Sequence, residues 1–549
     1  MKKIITAIIS LTLVNSAIAD TTLIHNVKGY TIKNGELSQF NAIQFTDDSI
    51  DRVFSKNTAL PNSKDIRQID GKGATMLPGL IDAHGHVLNY GLSLQRVDLV
   101  GSTSEKDAIS RVVDYQKENP EQKWIQGRGW NQVQWPSNQF PTAKSLDKYF
   151  PDTPVFLSRV DGHAGWANSK AMEIAGITKQ TLSPNGGEII KDASGAPNGV
   201  FVDNAMDLIF SKIPALSRNE QKNVLIKAMN KLASVGLTSV HDAGVTSENI
   251  EIFNEIANEQ AMPIRINAML YLPSDNWQQR LKQGQIKSAD GTFAFNSVKI
   301  QADGALGSRG AAMHADYSDK TNHKGLLLHT NEKLSYYIEQ SMKAGFQVNT
   351  HAIGDHANSL TLDQYEQHIA STNSKALRHR IEHAQVLRVE DIPRFKSLNV
   401  IASIQATHAT SDKNMAEDRI GKKRLKGAYA WRSLLNAGAK IANGSDFPVE
   451  PTNPFYGLHA SITRQDRHNQ PLGGWISSEK LSHEETLKSF TIDAAYAGHQ
   501  EDIVGTLEPA KKADFILVDA DMFTQEPSTI WQNKVLATWV NGKQVFSRY

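Results

Sequence analysis

Helices alternating with short apolar strands through the middle of the chain predict an α/β fold, a (β/α)8 TIM-like barrel. Two further observations complete the fold class. Short strands with frequent turns at both ends predict a small β-sandwich domain built from both termini. A long stretch between the first two barrel strands reads as an insert. The expected boundaries are a signal peptide at 1–19 and the N-terminal part of the sandwich at 20–76. The barrel follows at 77–504 with its insert at about 90–215, and the C-terminal part of the sandwich at 505–549.

Lys2 and Lys3 form a charged start, Ile4 to Val14 an apolar core, and Ala17-Ile18-Ala19 a small-residue cleavage site before Asp20. This reads as a secretory signal peptide cleaved after Ala19, so an exported, periplasmic protein is expected. The apolar run is shorter than the ~20 residues that span a bilayer. The 549 residues include no cysteine, which excludes a lipoprotein anchor, a disulfide framework and thiolate metal ligands. A net charge of +1 gives no electrostatic case for nucleic acid or an anionic membrane as partner.

After the leader come four short strands: Thr22–Val27, Tyr30–Lys33, Phe40–Phe45 and Ile66–Asp70. Asn34-Gly35 is a hairpin signal between the second and third. The far end reads similarly, with Asp514–Val518, Val535–Val540, Asn541-Gly542 and Lys543–Phe546. The middle has another rhythm. Ser217-x-x-Glu220 is a capping box, and Val224, Leu225, Ala228, Met229 and Leu232 keep helical spacing until Gly236 stops the helix. Helices ending at Gly345 and near Gly438 repeat the unit. Eight strands are expected: Leu80–His86, Leu237–Asp242, Ile264–Tyr271, Val298–Asp303, Phe346–His351, Arg380–His383, Val400–Gln405 and Lys440–Asp446. The insert carries Trp124, Trp130, Trp135 and Trp166, four of the nine tryptophans. They suit either a lid or pocket wall or the insert's own small core.

The chemistry gathers at the strand ends. Leu77-Pro78-Gly79-Leu80-Ile81-Asp82-Ala83-His84-Gly85-His86 ends in two histidines two apart, which a strand projects from one face. Imidazole is a common ligand for zinc and its neighbours. Lys299, His351, His383 and Asp446 fall at the ends of later strands, which a barrel converges on one mouth. Singly each has a bland explanation, such as a hydrogen-bonded histidine, an ion-paired lysine or a capping aspartate. Six such groups at corresponding ends are hard to assign to chance.

These residues resemble the metal-dependent amidohydrolase superfamily, specifically amidohydrolase family 3 with its N-substituted formamide deformylase-like branch. The motifs that carry the resemblance are the segment from Leu77 to His86, Asp161-Gly162-His163, Val298-Lys299-Ile300 with Asp303-Gly304, and Asn349-Thr350-His351-Ala352-Ile353-Gly354-Asp355. Arg380-Ile381-Glu382-His383 and Gly444-Ser445-Asp446-Phe447-Pro448 complete the set. The resemblance implies a divalent metal, one or two ions, with Zn2+ leading and Mn2+, Fe2+ or Co2+ as alternatives. His84, His86 and Asp446 would hold one ion and His351 and His383 a second, with Lys299 bridging as a carbamate. The implied reaction is hydrolysis of a carbon–nitrogen bond in a non-peptide amide or N-substituted formamide by metal-activated hydroxide, with Asp446 moving the proton. His163, Asp303, Arg309, His408 and Trp130 are candidate substrate contacts. A structural role is an equal reading for His163 and His408, and an ion-paired surface role is the commoner one for Arg309.

Two departures bear on substrate: Gln405-Ala406-Thr407-His408 stands where similar chains read Gln-Pro-x-His, and Gly129-Trp130-Asn131 where they read Gly-Trp-Asp. The expected partner is a small amide-like molecule, and a homodimer is open. The alternatives are the same site acting on a cyclic amide, a lactone or as a deaminase, and an exported binding or regulatory protein that keeps the fold without turnover. A glycoside hydrolase would rely on paired carboxylates at strand ends, where this chain has histidines.

Overall fold

The computed structural model describes residues 20–160, 162–184 and 186–548. The leader at 1–19 and Asp161 therefore lie outside the described residues. The rest divides into two compact units. One runs to His86 and resumes at Met229; the other is Val87–Ala228.

The first unit is built on eight strands that pair in parallel in chain order: β1 (Leu80–Gly85), β2 (Leu237–Val245), β3 (Arg265–Leu272), β4 (Phe293–Gln301), β5 (Gln347–Ala352), β6 (Arg380–His383), β7 (Ile401–Gln405) and β8 (Ile441–Gly444). Strands buried on both faces read as near-continuous apolar runs, which made them legible. Glycines end the preceding helices in the left-handed region, with φ 91° at Gly236, 80° at Gly345 and 81° at Gly438. The ring is nearly a closed barrel. Between β8 and β1 the ladder gives way to a bridge from Gly85 to Phe447. There the Asp446 N–H donates to the His84 carbonyl at 2.7 Å and the His86 N–H to the Phe447 carbonyl at 2.9 Å. Glycine is required at this seam: a Cβ on Gly85 would lie 2.2 Å from the Phe447 ring, and one on Gly444 2.6 Å from the Asp82 carboxylate and the His84 nitrogen.

The same unit contains two sheets drawn from the chain's ends. One orders Ser49–Phe54, Ala42–Thr46, Thr21–His25 and Ile66–Asp70. The other joins Lys543–Ser547, Val535–Val540 and Phe515–Val518 to Thr75–Pro78, Lys28–Lys33 and Glu36–Phe40. Ile24, Phe45 and Ile50 of the first pack in one core with Met76, Phe515 and Trp539 of the second. Asn34 (φ 52°) and Gly35 (φ 83°) make the tight turn between Lys33 and Glu36, and Asn541 and Gly542 repeat it between Val540 and Lys543.

The second unit carries its own six-stranded sheet, in the order Gly187–Lys191, Pro197–Asp203, Ala164–Ala167, Val155–Arg159, Ile125–Trp130, Val97–Asp98. The last three strands are parallel. Alternation along Val155–Arg159 sends Val155 and Leu157 into one core with Trp130, Trp135 and Trp166, and Phe156 into another with Trp124 and Phe201. The four tryptophans thus belong to the insert's own cores. The unit spans Val87–Ala228, slightly wider than the stretch expected from sequence.

Candidate metal centre

At the C-terminal ends of the barrel strands the structure brings together the six groups singled out from sequence. A ligand atom from each of His84, His383 and Asp446 lies within 4.8 Å of the others. Around them, His86 Nε2 is 3.0 Å from an Asp446 oxygen, and Lys299 Nζ is 3.2 Å from His84 Nε2. The His351 ring centroid is 4.5 Å from that of His383. His408 joins the cluster, its Nε2 3.6 Å from Asp446 and its ring stacked 5.8 Å from His383.

Two of the imidazoles are aimed by a neighbour. His84 Nδ1 is bonded to Glu382, and His383 Nδ1 is 2.6 Å from the Gln405 side-chain oxygen. In both cases the outer nitrogen carries the proton, so the Nε2 lone pair faces the centre. Glu382 is in turn held by Arg380, whose guanidinium also reaches the Ala83 carbonyl, Ser403 and His241 Nδ1. Asp82 accepts from the His84 N–H and from both the N–H and hydroxyl of Ser445, so one carboxylate fixes both segments of the seam. Sequence reasoning quoted Asp82, Arg380, Glu382 and Gln405 without assigning them roles. Their signal was the strand period: Arg380 and Glu382 are two apart, as are Asp82 and His84.

Burial sets the protonation states. It lowers His84 to about 4 and His351 to about 3, helped by the Lys299 charge, and holds His383 well below the usual histidine range. Burial also lowers the Lys299 ammonium, against the pull of Glu382 and Asp446. For Glu382, burial would favour the neutral acid, but the Arg380 charge and the His84 contact override it and hold the group below the carboxylate range. Asp446 is likewise lowered, the His86 hydrogen bond and the surrounding imidazoles outweighing burial. His383 (φ 76°) and Asp446 (φ 61°) both sit in left-handed backbone, a conformation that costs about 1–3 kcal/mol and collects at functional sites.

The donor set fits a divalent metal. It consists of imidazoles and a carboxylate, with the Nε2 atoms of His351 and His408 buried and without a hydrogen-bond partner.

Four candidate substrate contacts are placed otherwise. Trp130 is fully buried in the insert core, its indole N–H donating to the Leu157 carbonyl at 2.6 Å, so it offers no surface to a ligand. The Asp303 carboxylate accepts the backbone N–H groups of Ala312, Ile353 and Gly354, which makes it a brace between two loops. Burial pushes its carboxyl up to about 7 against those three bonds. Arg309 is paired bidentately with Asp319 at 2.9 Å. His163 belongs to the second unit, where its Nδ1 lies 2.7 Å from Asp203.

These features define a class: a (β/α)8 barrel whose strand ends hold a histidine–carboxylate cluster suited to a divalent metal. Residues 67–546 match the model of the amidohydrolase family. The chain belongs to that family, in its family 3 branch. It is 34% identical over 495 residues to protein LONG AFTER FAR-RED 3 of Arabidopsis thaliana, covering 87% of this chain and 83% of that one. It is 32% identical to YtcJ of Bacillus subtilis, named as an amidohydrolase, over 88% of this chain and 92% of the relative. N-substituted formamide deformylase of Arthrobacter pascens is 26% identical over 88% of this chain and 90% of its own. A crystal structure from Pyrococcus furiosus, described as an uncharacterized metal-dependent hydrolase, superposes with a TM-score of 0.76 at 26% identity, covering 91% and 99%.

Proposed function

We propose that the chain is a metal-dependent hydrolase that cleaves a carbon–nitrogen bond in a non-peptide amide or N-substituted formamide. The observation that carries this is the buried Nε2 of His351, without a hydrogen-bond partner, in a cluster where His84 and His383 are each held at Nδ1 by Glu382 and Gln405. His84, His86 and Asp446 would hold one ion and His351 and His383 a second, with Lys299, whose ammonium form burial disfavours, joining the set as a carbamate formed with carbon dioxide and loss of a proton. Zn2+ suits this set best. Bound there, the metal polarises the substrate carbonyl and acidifies water. Asp446, ionised and at the mouth, takes the proton of the attacking water and delivers one to the leaving nitrogen, which would otherwise depart as a poor amide anion. His408, whose Nε2 lies 3.6 Å from Asp446, would donate to the oxygen that gains charge. The formamide deformylase relative supports the amide class. The leader-like sequence at 1–19 supports export to the periplasm.

Metal content measured by elemental analysis on wild type and His84→Ala, beside hydrolysis of a small amide and formamide panel, tests this reading. About two equivalents in wild type, falling together with activity in the variant, is the expected result for a two-metal site. Metal that persists without His84, or a metal-loaded protein that cleaves none of the panel, would favour the non-catalytic binding protein.

A further inference from the structure

The barrel register places two side chains beside the cluster that the proposed reaction does not use. Tyr271 on β3 is in register with Lys299 on β4, and Gln301 is in register with His351 on β5. Laterally paired residues of a parallel sheet face the same side, and so do residues two apart on a strand. Tyr271 and Gln301 therefore face inward in the layers of Lys299 and His351. Both are half-buried, which leaves them open at the mouth. They are bonded to each other, the Tyr271 hydroxyl donating to the Gln301 side-chain oxygen at 3.0 Å. That bond orients the pair. The Gln301 NH2 is turned away with no acceptor among the described residues, and the Tyr271 oxygen keeps a lone pair. Beneath them Gly244 (φ 102°) leaves a floor without a side chain: a Cβ there would touch Tyr271 at 3.5 Å and Lys299 at 3.8 Å.

We infer that Tyr271 and Gln301, over the Gly244 floor, form a subsite that recognises a second, neutral amide or ureido group on the substrate. This rests on the hydrolase reading for its location beside the scissile bond. The pair offers one donor and one acceptor side by side, the complement of an amide's oxygen and N–H. It carries no formal charge, so it offers no counter-ion to a carboxylate-bearing analogue. Neighbouring strands lie about 4.8 Å apart and residues two apart about 6.6 Å, so the recognised group sits two to four bonds from the reacting carbonyl.

The test separates recognition from turnover. Three ketones that cannot be cleaved are used, each PhCH2CH2–CO–CH2CH2–R with R a carboxamide, a carboxylate or an isopropyl group. Their binding to the zinc-loaded full chain is measured by calorimetry for wild type, Tyr271→Phe and Gln301→Leu. The expected result is about tenfold tighter binding of the carboxamide than of either analogue, a preference reduced about fivefold by each substitution. Equal binding of the three ketones, no binding of any, or a preference unchanged in both variants overturns the subsite. The corresponding N-benzyl amides are assayed for cleavage in parallel. If they bind with the expected preference but are not cleaved, the hydrolase reading fails and the subsite stands. Thermal melts of both variants confirm that each is folded, and either one alone decides the matter.

Discussion

The mouth of the barrel and the core of the insert both bury several aromatic rings with polar edges, and they treat those edges in opposite ways. In the insert, every one of the three clustered indoles donates to a backbone carbonyl: Trp130 to Leu157, Trp135 to Ser102 and Trp166 to Thr142. At the mouth, His84 and His383 are bonded at Nδ1, while His351 and His408 keep buried Nε2 atoms without a hydrogen-bond partner. A buried polar atom left unpaired costs about 1–3 kcal/mol, a cost the three insert indoles avoid. The contrast separates a packing aromatic cluster from one held ready for something that binds.

The comparison can be broken most forcefully at Asp446. Asp446→Asn is expected to lower amide hydrolysis by about 10²–10⁴-fold, the range for a lost general base, with circular dichroism unchanged. Activity within tenfold of wild type would remove Asp446 from proton transfer. Arg380→Met should act on stability instead, at about 3–5 kcal/mol in urea unfolding, because it strands the buried Glu382 charge. Adding Glu382→Leu should restore most of that loss while metal retention stays impaired, since His84 has lost its partner. Full metal retention in the double variant would show that His84 needs no orientation. On the insert side, Trp130→Phe should cost about 1–3 kcal/mol by orphaning the Leu157 carbonyl and emptying part of the core, with metal content untouched. Metal loss there would mean the two regions are not independent.

The smallest effect comes from a barrel histidine that behaves like the insert's tryptophans. His379 has both nitrogens bonded, Nδ1 accepting from the Val348 N–H and Nε2 3.1 Å from the Ser374 hydroxyl. Burial lowers it to about 3. The folded form thus resists a proton that the unfolded chain takes up near pH 6.5, so this contribution is present above that pH and is lost as pH falls towards the folded value. Between pH 7 and 5.5 the loss is about 1 kcal/mol. His379→Gln should flatten the stability profile by that amount. An unchanged slope would place the acid sensitivity elsewhere.

The strands and the ligand-type residues could be read from sequence because both leave local marks: apolar runs ending at glycine, and histidines at strand ends. The braces could not. Arg380 and Glu382 look like ordinary strand polar residues until a chain segment almost 300 positions away brings His84 against them. Trp130 and Asp303 were misread for the complementary reason: their chemistry suited a ligand, but Leu157 and three backbone amides had already engaged them. Arg309 takes the ion-paired role that was its commoner reading, with Asp319. The backbone inversion at His383 and Asp446 is likewise absent from any local pattern, since neither is a glycine.

The seam between β8 and β1 has a consequence for how the molecule is made. His86 and Asp446, whose side chains meet there, are 360 residues apart, and the backbone bonds that seal the ring run through the same two segments. Contacts that distant in sequence are slow to form, so the ring shuts late in folding. Until it shuts, the donors from the first and last strands belong to separate pieces of chain and hold no ion between them. Uptake of metal during refolding then serves as a clock for ring closure, starting only after the other strands have paired.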